Sequence, residues 1–156
     1  MTIRLATFDD INSIRCLNQE FWKYNTELQP DYYADASDNG DYPRRGIVDP
    51  DSDLIVAEID NTIVGLIHVR KSQTPSYLSV VNHEFVEVID LIVSASFRRR
   101  RIGTMLMDSA KEWGKSRNLD YIELFVLSNA KGEIAFYNNY GFTTDSLTMR
   151  YKLHLQ

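Results

Sequence analysis

Phe85-Val86-Glu87-Val88-Ile89-Asp90-Leu91-Ile92-Val93-Ser94-Ala95-Ser96-Phe97-Arg98-Arg99-Arg100-Arg101-Ile102-Gly103-Thr104-Met105-Leu106-Met107 is the stretch around which the chain is organised. Its first nine residues form a mainly apolar run rich in β-branched side chains, without Gly or Pro, and read as a central strand. A short polar connection, Ser94 to Phe97, leads to the arginines Arg98 to Arg101. From Ile102 the period changes: Ile102, Met105, Leu106, Ser109 and Trp113 fall three or four apart, one face of a helix. The arginines and Gly103 therefore stand where a strand turns into a helix. The first turn of a helix carries unpaired N–H groups and a partial positive charge, so phosphates bind there readily. Gly103 lets a ligand come close to the backbone.

At these residues the chain resembles the GNAT superfamily of N-acetyltransferases. Arg98-Arg99-Arg100-Arg101-Ile102-Gly103 is similar to that family's Q/R-x-x-G-x-G/A loop, behind a Leu-x-Val strand ending at Leu91-Ile92-Val93. Arg101 stands where the loop's first glycine is usual. Asn129 and Phe136-Tyr137-Asn138-Asn139-Tyr140-Gly141-Phe142 are similar to its N…FYxxxGF segment. The resemblance implies a single N-acetyltransferase domain over residues 1–156, with a central, mixed but mostly antiparallel sheet flanked by helices: an α/β fold of the GNAT kind. It also implies acetyl-CoA as cosubstrate. Backbone groups of Leu91, Ile92 and Val93 would pair with the pantetheine arm. Arg98, Arg99, Arg100, Arg101, Ile102, Gly103 and Thr104 would hold the pyrophosphate, with Asn129 and Tyr137 completing the cofactor contacts. Tyr137 matches the tyrosine that protonates the departing thiolate. Glu87, eleven residues before Arg98, stands where several members carry a general base. By strand alternation Glu87 shares a face with Ile89, Leu91 and Val93, and its rival Asp90 lies on the opposite one; ordered water is a third candidate for the base.

Composition bounds these readings. With 156 residues, 44% hydrophobic and 25% charged, the chain reads as one ordinary globular domain. No apolar run approaches the roughly 18 residues of a membrane span. The N-terminal MTIRLATFDD lacks the apolar core of a signal peptide, and one cysteine, Cys16, suits a reducing cytoplasm. Cys16 lies between Ile14 and Leu17, so the expectation is a packed thiol. Neither CxxC nor paired-histidine spacing points to a metal. A net charge of −5 argues against a nucleic-acid partner, and for the arginine run the position between strand and helix favours compensation of a polyanionic ligand over a solvated loop. A homodimer is common in the family the chain resembles.

Elsewhere the pattern predicts a short strand at Ile3 to Ala6, and a helix from about Asp9 to Leu28 capped through Thr7 and ended by Pro30. Residues 31–53 hold seven aspartates against two arginines, with three tyrosines between them. They read as an irregular acidic loop that could form a lip of an acceptor site and draw in a cationic amine. Strands at Leu54 to Ile59 and Ile63 to Arg70 flank an Asp60-Asn61 hairpin. His68 reads as a satisfied sheet residue. Lys71 to Asn82 reads as a loop, Tyr121 to Leu127 as a strand, Lys131 to Tyr140 as a helix capped by Gly141, and Thr148 to Leu153 as a last strand. The resulting expectation is transfer of acetyl from acetyl-CoA to a primary amine, a small cationic one if the acidic segment guides it. The alternative is a non-catalytic acyl-CoA-binding or regulatory module on the same fold.

Overall fold

The computed structural model describes residues 1–34, 36 and 40–153. Two compact units divide the chain, Met1–Phe125 and the residues from Val126 onward. The first contains a five-stranded sheet in the order β1 (Thr2–Leu5), β2 (Ser52–Ile59), β3 (Thr62–Gln73), β4 (Glu84–Val93) and β5 (Ile122–Leu124). The first three pairings are antiparallel and β4–β5 is parallel. The sheet is thus mixed and mostly antiparallel, as expected.

Helices cover both faces. On one lies α1 (Ile11–Leu28), whose Ile14 and Leu17 pack into a core with Leu54, Val56, Leu66 and Ile92. Even-numbered residues of β2 and β3 therefore look toward α1. A full burial of one such Leu or Ile is worth about 1.5–3 kcal/mol. On the other face α3 (Ile102–Lys115) seats Ile102 and Leu106 over Gly65 of β3. Its Gly114 lies over Val86, where an added Cβ would come within 2.5 Å of Val86 Cγ2. Arg4 ties the edge together, with two bonds to Asp10 at 2.8 and 2.9 Å and one to Glu58 at 2.6 Å.

Several expectations need correction. The acidic stretch is not irregular throughout: it holds α2 (Tyr42–Val48), started by Pro43 in its first turn, where a missing N–H costs nothing. β2 begins at Ser52 rather than Leu54, and β3 continues to Gln73 because β4 pairs with it that far. Two of the segment's aspartates, Asp35 and Asp38, lie outside the described residues. Asp41 faces Arg44 at 3.4 Å. Asp53 accepts bonds from Trp113 Nε1 and Arg117 at 2.6 and 3.2 Å, so it serves the packing of α3. Cys16 is exposed. The inward stripe of α1 runs through Ile14, Leu17 and Asn18, and at roughly 100° per residue Cys16 stands outside it.

In the hairpin Asp60 and Asn61 both have positive φ, 49° and 60°, the primed turn that matches strand twist. In the second unit α4 (Lys131–Tyr140) ends as expected on Gly141 at φ 115°. The strands predicted at Tyr121 to Leu127 and Thr148 to Leu153 shrink to Ile122–Leu124 and to none. A strand exists by pairing, and the alternating Leu147, Met149, Tyr151 and Leu153 are over four-fifths exposed with no described strand beside them.

Gly114→Ala should lower stability by about 1–3 kcal/mol in urea denaturation, because Val86 is β-branched and cannot swing clear. Adding Val86→Ala should recover part of that loss.

Candidate functional site

The register of β4 changes in its middle. His68 stands opposite Asp90 and Val69 opposite Val88, so Ile89 has no partner on β3: a β-bulge. Two consequences follow from this single extra residue. First, β5 pairs only with Val86 to Val88 and then leaves. Ser94 N–H donates to Val64 O at 2.9 Å. Antiparallel alternation then points the backbone groups of Ile92 at β3, and those of Leu91 and Val93 away from it. No described strand pairs with that edge. Second, side-chain parity flips across the bulge. Glu87 lies opposite Arg70 and Asp90 opposite His68, two residues apart on β3. Both carboxylates therefore face the α1–α2 side, a correction to the opposite faces that plain alternation predicts.

Past Val93 the chain makes a 3-10 turn, Ala95–Phe97, and enters the arginine loop. Arg98 Nε donates to Val93 O at 3.1 Å, which fixes the loop to the end of the free edge. Arg100 lies over the Phe97 ring at 5.0 Å. Arg99 and Arg101 both sit at φ 62°, the left-handed region. Arg101, where the resembling motif has glycine, is the N-cap of α3 and makes no side-chain capping bond. The N–H groups of the first helical turn, Ile102 to Thr104, keep no capping partner from Arg101. They point out of the helix start beside exposed guanidinium groups, an arrangement suited to a polyanion.

The two β4 carboxylates differ in surroundings. Burial opposes the charge on Glu87, but bonds from Ser72 Oγ at 2.6 Å and Arg70 at 2.7 and 3.1 Å prevail and hold its pKa below the usual value. Among the described residues no cation pairs with Asp90, and burial drives its pKa up. The Tyr42 hydroxyl from α2 lies 2.5 Å from Asp90 Oδ2 and 2.7 Å from His68 Nδ1. His68 Nε2 lies 2.9 Å from Ser52 Oγ, which donates to the Gly46 carbonyl at 3.1 Å. His68 is a satisfied sheet residue, as expected, and burial lowers its pKa to about 4. Sequence reading missed Tyr42 and Ser52, because α2 lay hidden in the acidic stretch; Pro43 after Asp41-Tyr42 was the available sign of a helix start.

The first unit thus brings together Leu91 to Thr104, Glu87 and Asp90. Asn129 and Tyr137 belong to the second unit. There Asn129 O accepts from Lys131 N–H at 3.0 Å, and the Tyr137 ring packs edge-on against Phe136 and Phe142.

A bulged central strand whose free edge leads toward a cationic helix start is a strand–loop–helix arrangement suited to a long anionic ligand. The chain belongs to the Acetyltransferase (GNAT) family, whose model matches residues 14–142. An uncharacterized N-acetyltransferase of Methanocaldococcus jannaschii is 28% identical over 141 residues, which are 90% of this chain and 60% of that protein; the chain thus spans about three-fifths of the relative's length. A mutant form of the BH1408 protein of Bacillus halodurans has the same fold, with a TM-score of 0.93 at 23% identity over 99% of this chain and 100% of that one. The aminoglycoside N-acetyltransferase AAC(6')-Iy, solved with a CoA-linked bisubstrate analogue, superposes with a TM-score of 0.73 at 15% identity over 99% and 98% of the two chains.

Arg101→Val should cost about 1–2 kcal/mol in denaturant unfolding, since a β-branched residue fits φ 62° poorly. Arg100→Val, where φ is not positive, should cost less than about 0.5 kcal/mol.

Proposed function

We propose that this chain is an acetyl-CoA-dependent N-acetyltransferase acting on a primary amine. The observation that carries the reading is the free edge of β4 at Leu91 to Val93, running without a break into the arginine loop and the start of α3. The pantetheine arm of CoA has amide groups that can pair with such an edge, and the pyrophosphate of CoA needs the donors that Arg98, Arg99, Arg100, Arg101, Ile102, Gly103 and Thr104 offer. Asn129 and Tyr137 complete this cosubstrate set by family resemblance. Membership of the GNAT family supports the acyl transfer, and relatives named as N-acetyltransferases support nitrogen as the acceptor. Acetyl-CoA, as substrate, supplies an activated thioester.

The chain's own residues have three tasks. The backbone of Leu91 to Val93 orients the acyl group, and much of the rate enhancement comes from holding it in line with the amine. A β4 carboxylate, Glu87 or Asp90, takes a proton from the ammonium form of the acceptor. The amine then attacks the carbonyl carbon, a C–N bond forms and the C–S bond breaks. Tyr137 gives its phenolic proton to the departing thiolate, a role taken from its place in Phe136-Tyr137-…-Gly141-Phe142, and the proton that the attacking nitrogen sheds as the amide forms restores the phenol through solvent. The acceptor is a small cationic amine, favoured by the aspartates of residues 31–53.

The direct test is release of CoA from acetyl-CoA against a panel of amines at low and high salt. Polyamine-like acceptors should rank first, with kcat/KM falling as salt rises; binding of CoA with transfer to no amine overturns the reading. Gly103→Asp should weaken acetyl-CoA binding at least ~10-fold in calorimetry, by placing bulk and negative charge at the anion site. Tyr137→Phe removes one hydroxyl and should lower kcat about 10²-fold with the fold unchanged. Full activity in that variant means the ring is only packing.

A further inference from the structure

Counting protons in the cluster that links α2, β2, β3 and β4 leads beyond this reading. It starts at the Gly46 carbonyl, which is buried. In a helix this oxygen would accept from the N–H four residues on, but that residue is Pro50 and has none. The Ser52 hydroxyl supplies the missing donor. With its one proton so placed, Ser52 accepts from His68, so Nε2 carries a hydrogen. If His68 is neutral, Nδ1 is a bare acceptor, and the Tyr42 proton must point at it. Tyr42 then has only lone pairs to offer Asp90, so the hydrogen between them belongs to the Asp90 carboxyl. If His68 is instead cationic, Nδ1–H donates to Tyr42 and Tyr42 donates to an ionised Asp90. Both arrangements satisfy every group, and both contain the same number of protons. Take one proton away and any arrangement leaves one acceptor of the cluster, whether Asp90 Oδ2, a His68 ring nitrogen or the Gly46 carbonyl, without a donor.

We propose that Asp90, Tyr42, His68 and Ser52 hold a single exchangeable proton in common, and that Asp90 is the member that exchanges it with the acceptor amine. Tyr42, His68 and Ser52 are positioning residues that set how tightly Asp90 keeps that proton. This rests on the acetyltransferase reading for its catalytic half. Asp90 suits the role by its place. It is only partly covered, its Oδ1 takes no hydrogen bond among the described residues, and the next residue along β4 begins the free edge. In the step itself the ionised cluster takes H⁺ from R–NH₃⁺. The resulting R–NH₂ attacks the thioester, and the cluster later returns the proton to water.

Burial raises the Asp90 pKa and lowers that of His68, which favours the neutral pair. The Tyr42 hydrogen bond alone would lower Asp90; the tether to His68 and Ser52 removes that support by turning the Tyr42 proton away. The other charges that reach His68 are Arg70 on β3, Asp49 after α2 and Glu87 on β4. On α1, Glu20 is engaged with the Ala95 N–H.

The test follows the Asp90 carboxyl carbon by NMR through a pH titration of the full chain, alongside the acceptor kcat/KM profile. Wild type should titrate above the ordinary carboxylate range. His68→Leu frees the Tyr42 proton for Asp90 and should move the midpoint down by ~1 pH unit or more. In the Tyr42→Phe background the same His68→Leu change should have no effect, because the link is gone. An Asp90 midpoint in the ordinary range, or one indifferent to His68→Leu when Tyr42 is present, overturns the shared proton whether or not any amine is acetylated. Ser52→Ala is the second variant should His68→Leu fail to fold. It too should lower the midpoint, since His68 Nε2 then has no Ser52 oxygen to donate to, the ring can carry its hydrogen on Nδ1, and the Tyr42 proton turns to Asp90. For the catalytic half, the acidic limb of kcat/KM should move with the NMR midpoint, and Asp90→Asn should lower kcat/KM about 10²-fold at unchanged acetyl-CoA affinity. A limb that stays put in His68→Leu, or that disappears in Glu87→Gln, overturns Asp90 as the exchanging group. Failure of every amine in the panel, with the NMR coupling intact, counts against the acetyltransferase reading and not against the shared proton.

Discussion

One unpaired residue, Ile89, governs the arrangement of the first unit. A sheet strand has period two, so an extra residue on one side reverses which groups meet which neighbour. Before Ile89, β4 gives its hydrogen bonds to β3 and β5; after it, one edge has no strand. The same shift turns Asp90 to the face already occupied by Glu87 and brings it under Tyr42. A free backbone edge and a carboxylate on the adjoining face meet at one local irregularity. The flanking layers hold it in place: α1 packs Ile14 and Leu17 against Ile92 just after the bulge, and α3 sets Gly114 against Val86 just before it.

Electrostatics separates the two carboxylates that the bulge brings to one face. Glu87 has Arg70 and Ser72 and holds its charge readily. Asp90 is surrounded by neutral hydrogen-bonding groups, and burial resists its charge. Three residues apart on one strand, they have pKa values moved in opposite directions. Proteins separate acid–base roles by making environments unlike in this way.

Much of the fold was legible because its signals are local. The change from strand to helix period at Phe85 to Met107, the Asp60-Asn61 turn and the Gly141 cap each depend on a few neighbouring residues. What escaped depends on pairing across the chain. Nothing in Val88-Ile89-Asp90 marks a bulge, since its cause is the register against β3, and so the faces of Glu87 and Asp90 were assigned by an alternation that the bulge breaks. Thr148 to Leu153 carries a strand's pattern, but pattern does not supply a partner. Helix α2 was masked by the aspartates around it, and with it went the Tyr42 contact to Asp90, whose members come from sequence positions 42, 52, 68 and 90. The arginine loop was found from sequence, but not that Arg101 would take the glycine's left-handed conformation with a side chain attached.

That last feature bears on how the loop behaves when nothing is bound. Arg99 and Arg101 hold backbone angles that side chains disfavour, and four adjacent guanidinium groups repel one another. Glycine would lower the first cost and remove part of the second; arginine keeps both, and an anion at the loop offsets the second. The folded chain thus carries a cationic loop whose charge favours polyanions in general. Free pyrophosphate, or any compact polyphosphate, should steepen its melting and raise its Tm through mass action on the native state alone. On the acetyltransferase reading, thermal stabilisation by CoA would report the charge of the ligand's phosphate end, and discrimination among acyl donors would reside farther along the β4 edge, where the backbone of Leu91 and Val93 carries no charge at all.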